Sequence, residues 1–182
     1  KEGKPKDDCV GYRPISLLNV EVKILAKLLA TRLLKVIPNL IHPDHSGFMP
    51  QRSTALNLRH LHGILGQIQN FQQDALILSL DVRMAFNTIE WNFLFVVLSH
   101  MGFGPNYIKW VQLLYSGPLA QVKLNGTRSR PFCLQRGSRQ GCPLSPLIFA
   151  LVLEPLAVWI RRDPLIRRLD WDGQWEVKIS LY

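Results

Sequence analysis

The chain has 182 residues, with 22 Lys and Arg against 13 Asp and Glu, a net charge of +9 and a pI near 9.8. Hydrophobic residues make up 47% of it, which excludes an intrinsically disordered chain and supplies one sizeable core. Three cysteines (Cys9, Cys133, Cys142) stand far apart with no CxxC pair, which argues against a disulfide framework or a zinc site.

That cysteine usage points to a reducing intracellular compartment, nucleus or cytoplasm. The basic surplus favours a polyanionic partner, and its spread over residues 1–35, 128–139 and 161–168 suits a basic face on a folded body. The longest apolar segment, 146–160, is interrupted by Glu154 and Pro155 and is too short to span a bilayer. With no signal-peptide pattern either, no membrane partner is expected. The chain opens on Lys1 rather than Met, so a longer parent is expected.

In chain order, residues 1–12 are polar and charged and predict a loop or short hairpin. Pro14 forces Arg13 out of the helical region. Asn19 is a fitting N-cap for a helix to about Ile37, with Leu25, Leu28, Leu29, Leu33 and Val36 on one side. Pro38 and His42-Pro43-Asp44-His45-Ser46-Gly47 break it, and the two histidines are explained by turn composition rather than metal binding. Ser53 caps a second helix over 54–69, whose stripe is Leu56, Leu58, Leu61, Ile64, Leu65 and Ile68. Residues 75–82 predict a β-strand that delivers Asp81 at its end.

Two helices follow, 91–101 and 105–115, parted by Gly102-Phe103-Gly104. Residues 119–124 alternate and run into Asn125-Gly126, a strong hairpin signal, with 132–134 as the return strand. Ser145 caps a helix over 146–162 that Pro155 should kink or divide. Residues 175–182 predict a last strand. Trp91, Trp110 and Trp159 fall on apolar helical faces and are expected in the core. The fold class is α+β.

Four motifs carry more. Tyr12-Arg13-Pro14-Ile15-Ser16-Leu17-Leu18-Asn19, Gly47-Phe48-Met49-Pro50-Gln51-Arg52, the stretch Asp81 to Phe86, and Arg139-Gln140-Gly141-Cys142-Pro143-Leu144-Ser145-Pro146 occur in that order. In this order and spacing they resemble the reverse transcriptases of LINE-type (non-LTR) retrotransposons, over almost the whole chain. The resemblance implies a right-hand polymerase fold with fingers (residues 1–74) and an incomplete palm (75–182). It also implies an RNA template, a DNA primer, dNTPs and two Mg²⁺ ions, and leaves the oligomeric state open.

By that resemblance Asp81 is the first metal-binding and catalytic carboxylate, and Phe86 the bulky side chain under the nucleotide sugar. Gln140 and Gly141 are the turn that approaches the template base or incoming dNTP, with Arg139 beside them. Arg13, with Lys1 and Lys4, resembles the hairpin that grips the triphosphate, where a planar guanidinium binds phosphate oxygens two at a time. Lys23, Arg32, Arg52 and Arg59 are candidates for the template backbone. Ile179-Ser180-Leu181-Tyr182 resembles the approach to a Tyr-x-Asp-Asp hairpin, of which Tyr182 is the first residue. One carboxylate does not fix two divalent ions, so these 182 residues alone are expected to be inactive. Asn87 departs from the family, where Asp is common. It fits an alternative, a non-catalytic nucleic-acid-binding remnant of a decayed element. The Arg-Gln-Gly-Cys-Pro-Leu-Ser-Pro wording argues against an RNA-directed RNA polymerase.

Overall fold

Helix α1 (Val20–Leu34) begins after Asn19, which holds the extended N-cap conformation although its side chain makes no capping hydrogen bond. Its buried face is Ala26, Leu29, Ala30 and Leu33. The expected stripe is therefore rotated: Leu28 is 60% and Val36 43% exposed. Two alanines let neighbouring helices approach closely, and that close face wins over the row of larger side chains. The helix also stops short of Ile37. Pro38 cannot donate into a continuing helix, so a separate turn, α2 (Ile37–Leu40), takes over.

The computed structural model describes residues 12, 15–71, 75–166 and 178–181. Helix α3 (Thr54–Phe71) starts where Ser53 Oγ accepts the Ala55 N–H at 3.2 Å, as a capping serine should. Its predicted apolar stripe is largely uncovered, with Leu56 and Leu58 about half exposed. Helices α4 (Trp91–His100) and α5 (Pro105–Leu114) match their predicted spans. Gly102, at φ +80°, closes α4: its N–H reaches Ser99 O, and the Phe103 N–H reaches Leu98 O. Those paired bonds satisfy the last carbonyls of the helix and turn the chain into α5.

The core forms where α1, α4, α5 and α6 (Ser145–Arg162) meet. Leu33, Leu94, Leu98, Val111, Ile148 and Leu151 are all within 1% of complete burial. Each such side chain contributes about 1.5–3 kcal/mol by leaving water. Helix α6 runs unbroken through Pro155, so the proline does not divide it as one expectation had it. Ser145 is its first helical residue rather than its cap, and its buried hydroxyl has no hydrogen-bond partner among the described residues. Trp110 and Trp159 are 49% and 65% exposed, so only Trp91 of the three packs against the core.

The strands form one projecting arm. β1 (Leu119–Ala120) pairs antiparallel with β4 (Phe132–Cys133), and β2 (Lys123–Leu124) with β3 (Thr127–Arg128). Asn125 and Gly126 have φ of 48° and 82°, the positive pair that a tight two-residue hairpin demands. The single strand expected over 119–124 is interrupted because Ser129 Oγ takes the Val122 N–H.

Two strand expectations change. Residues 75–82 form no ladder; Leu76, Leu78 and Leu80 are 91%, 70% and 77% exposed. The apolar pattern suits a strand, but a strand needs a partner's N–H and C=O groups, and none among the described residues lies alongside. Of the last predicted strand, 175–177 and Tyr182 lie outside the described residues. Leu181 forms an isolated parallel bridge with His45. No described helix is long and apolar enough to cross a membrane.

Candidate active site

Asp81 stands exposed after the extended 75–80 run and has no hydrogen bond or ion pair among the described residues. The chain then folds through a 3-10 turn, Ala85–Asn87, entered by Met84 in the left-handed conformation (φ 54°, ψ 40°). That backbone costs a non-glycine residue about 1–2 kcal/mol, so something must hold it. The Asn87 N–H to Met84 O bond, at 2.8 Å, closes the turn from within. Phe86 is half-buried, its ring 5.4 Å from Phe149 of α6 and 6.1 Å edge-on to Phe48. It is thus packed between two other aromatic rings with part of its surface exposed. Beside it, Val82, Ala85, Phe93, Phe149, Val152 and Leu156 line an apolar cavity of about 340 Å³.

The loop 136–142 is packed against this turn on one side and against the segment following Arg13 on the other. Gly137 N–H donates to Ile89 O at 2.7 Å, and Ser138 N–H donates to Phe86 O. Trp91 Nε1–H donates to Gly137 O at 2.9 Å. On the other side Ser16 N–H donates to Gln140 O at 2.9 Å. Gly141, at φ +96°, has space for a Cβ only 3.3 Å from Ser16 O, so the two backbones touch there. Arg139 is committed in part: its Nη2 donates to Leu114 O at 2.9 Å, at the end of α5. That bond takes one of the Nη2 donors of the residue that leads into the Gln140–Gly141 turn.

A second polar centre was not foreseen. Arg161 on α6 binds both carboxylate oxygens of Asp44, at 2.6 and 2.7 Å, and Glu154 Oε1 at 2.8 Å. Arg52 donates to the carbonyls of Pro38, Ile41, His42 and His45, between 2.6 and 3.2 Å. Arg52 is therefore a clamp for the 38–45 loop rather than the template contact expected of it; its four Nη–H donors are used by carbonyls a helix break leaves open. Leu181 docks on this loop: its N–H donates to Asp44 O, and its carbonyl accepts from Ser46 N–H, Ser46 Oγ and Asn57 Nδ2. The available sequence signal was Glu154 inside an apolar helix with Arg161 seven residues on, hence on the same face.

His45 lies in the same centre, 3% exposed, with Nδ1 4.0 Å from Glu154 Oε2. Burial lowers its pKa below the usual 6.5, outweighing the pull of Glu154 and Asp44; Arg52 and Arg161 push the same way as burial. The unfolded chain therefore takes up a proton near pH 6.5 that the folded chain refuses. This share of stability is complete above that pH and is lost as pH falls towards the lower folded value. Urea melts at pH 7.5 and 5.5 should show that loss, and His45→Gln should flatten the dependence between them. An unchanged slope in the variant would remove His45 from the account.

The chain matches the reverse transcriptase (RNA-dependent DNA polymerase) family over residues 4–182. It belongs to the reverse transcriptase family. A transposon TX1 uncharacterized 149 kDa protein of Xenopus laevis is 33% identical over 151 residues, 83% of this chain and 12% of that protein. The Pol polyprotein of retrotransposable element R2DM of Drosophila melanogaster is 32% identical over 153 residues, 84% of this chain and 14% of its own length. That of element R2 of Popillia japonica is 27% identical over 154 residues, 84% and 21%. The chain thus spans about an eighth to a fifth of the length of these relatives.

Against this family the structure brings Phe86, Arg139, Gln140 and Gly141 onto one connected backbone surface with Ser16. Arg13, Lys1 and Lys4 lie outside the described residues. Lys23, Arg32 and Arg59 are exposed cations on α1 and α3. Reverse transcriptases work with divalent metal ions, and Asp81 fits one place in such a set, being a hard oxygen donor with no competing partner among the described residues. The fit ends there. No group of three or more His, Cys, Asp or Glu that could hold a metal occurs among the described residues.

Proposed function

We propose that this chain is the part of a LINE-type (non-LTR) retrotransposon RNA-directed DNA polymerase that receives template and nucleotide. Residues 1–74 act as fingers and 75–182 as palm, in a right-hand polymerase fold. The observation that carries the reading is the 136–141 loop, which joins the Phe86 turn to the segment after Arg13 by direct backbone bonds. In the family these are the pieces around the incoming dNTP. Arg13 grips the triphosphate, Gln140 and Gly141 lie against the nascent pair, and Phe86 sits under the sugar. The template strand is RNA and the primer DNA, held by Lys23, Arg32 and Arg59 on the exposed faces of α1 and α3.

Asp81 supplies one carboxylate to a Mg²⁺ site. When bound, the metal lowers the cost of charge on the primer hydroxyl and the triphosphate. The work of this chain's own described residues is positioning, since Asp81 belongs to no group of three or more metal-binding side chains among them. An RNA–DNA template–primer should bind the 182-residue chain with a salt slope of about 0.9 for each phosphate contacted. Triple replacement of Lys23, Arg32 and Arg59 by Gln should lower that slope by about two to three. In the same assay the chain alone should add no nucleotide to the primer. Salt-independent binding would defeat the reading of these faces as a template surface.

A further inference from the structure

Phe86 sits on a strained turn, and the groups that hold that turn come from far along the chain. Met84 is left-handed at φ 54°. The 86–91 segment is stitched to 136–138 by Ser138 N–H to Phe86 O, Gly137 N–H to Ile89 O and Trp91 Nε1–H to Gly137 O. Ser138, 4% exposed, adds its hydroxyl to the same Phe86 carbonyl at 3.4 Å. Gly137 admits no side chain: at φ +90° a Cβ would lie 2.9 Å from Asn87 O and 3.0 Å from Asn87 Cα. Trp91 is itself fixed, with its ring 5.5 Å from the buried Tyr115.

The geometry points to Trp91, Gly137 and Ser138 as positioning residues that set the height of the Phe86 ring, and so the choice between deoxyribose and ribose in the incoming nucleotide. This rests on the reading of Phe86 as the sugar contact. A clash with a 2′-hydroxyl is decided over fractions of an ångström. The ring is held laterally by Phe48 and Phe149, but its backbone is pinned by the 137–138 bonds. Loosening them lets the turn relax towards an ordinary backbone and lowers the ring. None of the three residues touches the nucleotide in this account. Their effect travels through the Phe86 carbonyl and the Asn87 backbone, the two places where the loop meets the turn.

The test uses the full-length polypeptide that carries these residues, with 4-fluorophenylalanine placed at position 86. Trp91→Phe keeps the ring and removes the N–H donor; Gly137→Ala forces the loop off Asn87. Both should move the fluorine resonance, and Trp110→Phe, on the exposed face of α5, should not. In primer extension, Trp91→Phe should raise the ribonucleotide-to-deoxynucleotide ratio of kcat/KM on the order of tenfold. Phe86→Ala should raise it further, on the order of a hundredfold. A purely structural role would instead lower both kcat/KM values together and leave the ratio fixed. An unmoved resonance overturns the inference, as does an unmoved ratio in Trp91→Phe when Phe86→Ala shifts it. If Phe86→Ala itself leaves the ratio unchanged, the sugar-contact reading fails first. Gly137→Ala, should it not fold, is replaced by Ser138→Ala, for which the same shift of resonance and ratio in a smaller amount is expected.

Discussion

Replacing Arg161 by Met should lower the unfolding free energy by about 3–5 kcal/mol, among the largest effects of any single substitution outside the core. The guanidinium is 16% exposed and meets Asp44, 15% exposed, and Glu154, 5% exposed. Met fills much of the same volume but leaves two carboxylates in a poorly hydrated place without a cation. That unpaired charge, rather than lost attraction, is the larger part of the cost. Glu154→Gln keeps Arg161 paired with Asp44 and should cost less. The order of the two variants is the test, read by urea melts near pH 7.5. A loss under 1 kcal/mol for Arg161→Met would mean that the centre is hydrated and weak, as exposed pairs are. The damage should also reach Leu181, whose N–H rests on Asp44 O. Amide exchange at Leu181 is therefore expected to speed up in Arg161→Met more than in Glu154→Gln.

Local chemistry was legible wherever the chain encodes its own boundary. Ser53, Gly102, Pro105 and Asn125-Gly126 each act within a few residues, and each does in the fold what its type requires. Faces were harder. The buried side of α1 is chosen by Ala26 and Ala30, and small residues become informative only once a neighbouring helix is known to press against them. The run 75–80 reads as a strand from its side chains, yet a ladder is a property of two segments, and the second is not among the described ones. Charged residues were least legible of all. Arg52 and Arg139 look alike in sequence to any phosphate-binding arginine. Their carbonyl partners lie 7 to 25 residues away, and of the two carboxylate partners of Arg161 one, Asp44, lies 117 away. Motif order made the Asp81–Phe86 and 139–146 stretches readable as a site. It said nothing of Gly137 and Trp91, whose role depends on a long-range contact.

Asp81→Asn should abolish primer extension by the full-length polypeptide while leaving the fold untouched. The separation follows from the surroundings of this carboxylate: it is exposed and makes no hydrogen bond or ion pair among the described residues. A surface change of that kind costs within about 0.5 kcal/mol, so the melting temperature should stay where it is. Binding of an RNA–DNA template–primer should also hold, or tighten slightly, because one negative charge is removed near a polyanion. What is lost is a hard anionic oxygen for a divalent ion. Several kcal/mol of transition-state charge stabilisation correspond to a rate loss on the order of a thousandfold. Retained extension in Asp81→Asn would place the metal-binding carboxylate elsewhere and remove Asp81 from the site. Lost extension with lost binding or a lowered melting temperature would make Asp81 a structural residue with a partner the fold as described does not contain. Only the third pattern, a stable protein that binds its template–primer and cannot extend it, fits an exposed carboxylate at the end of an extended run that serves chemistry alone.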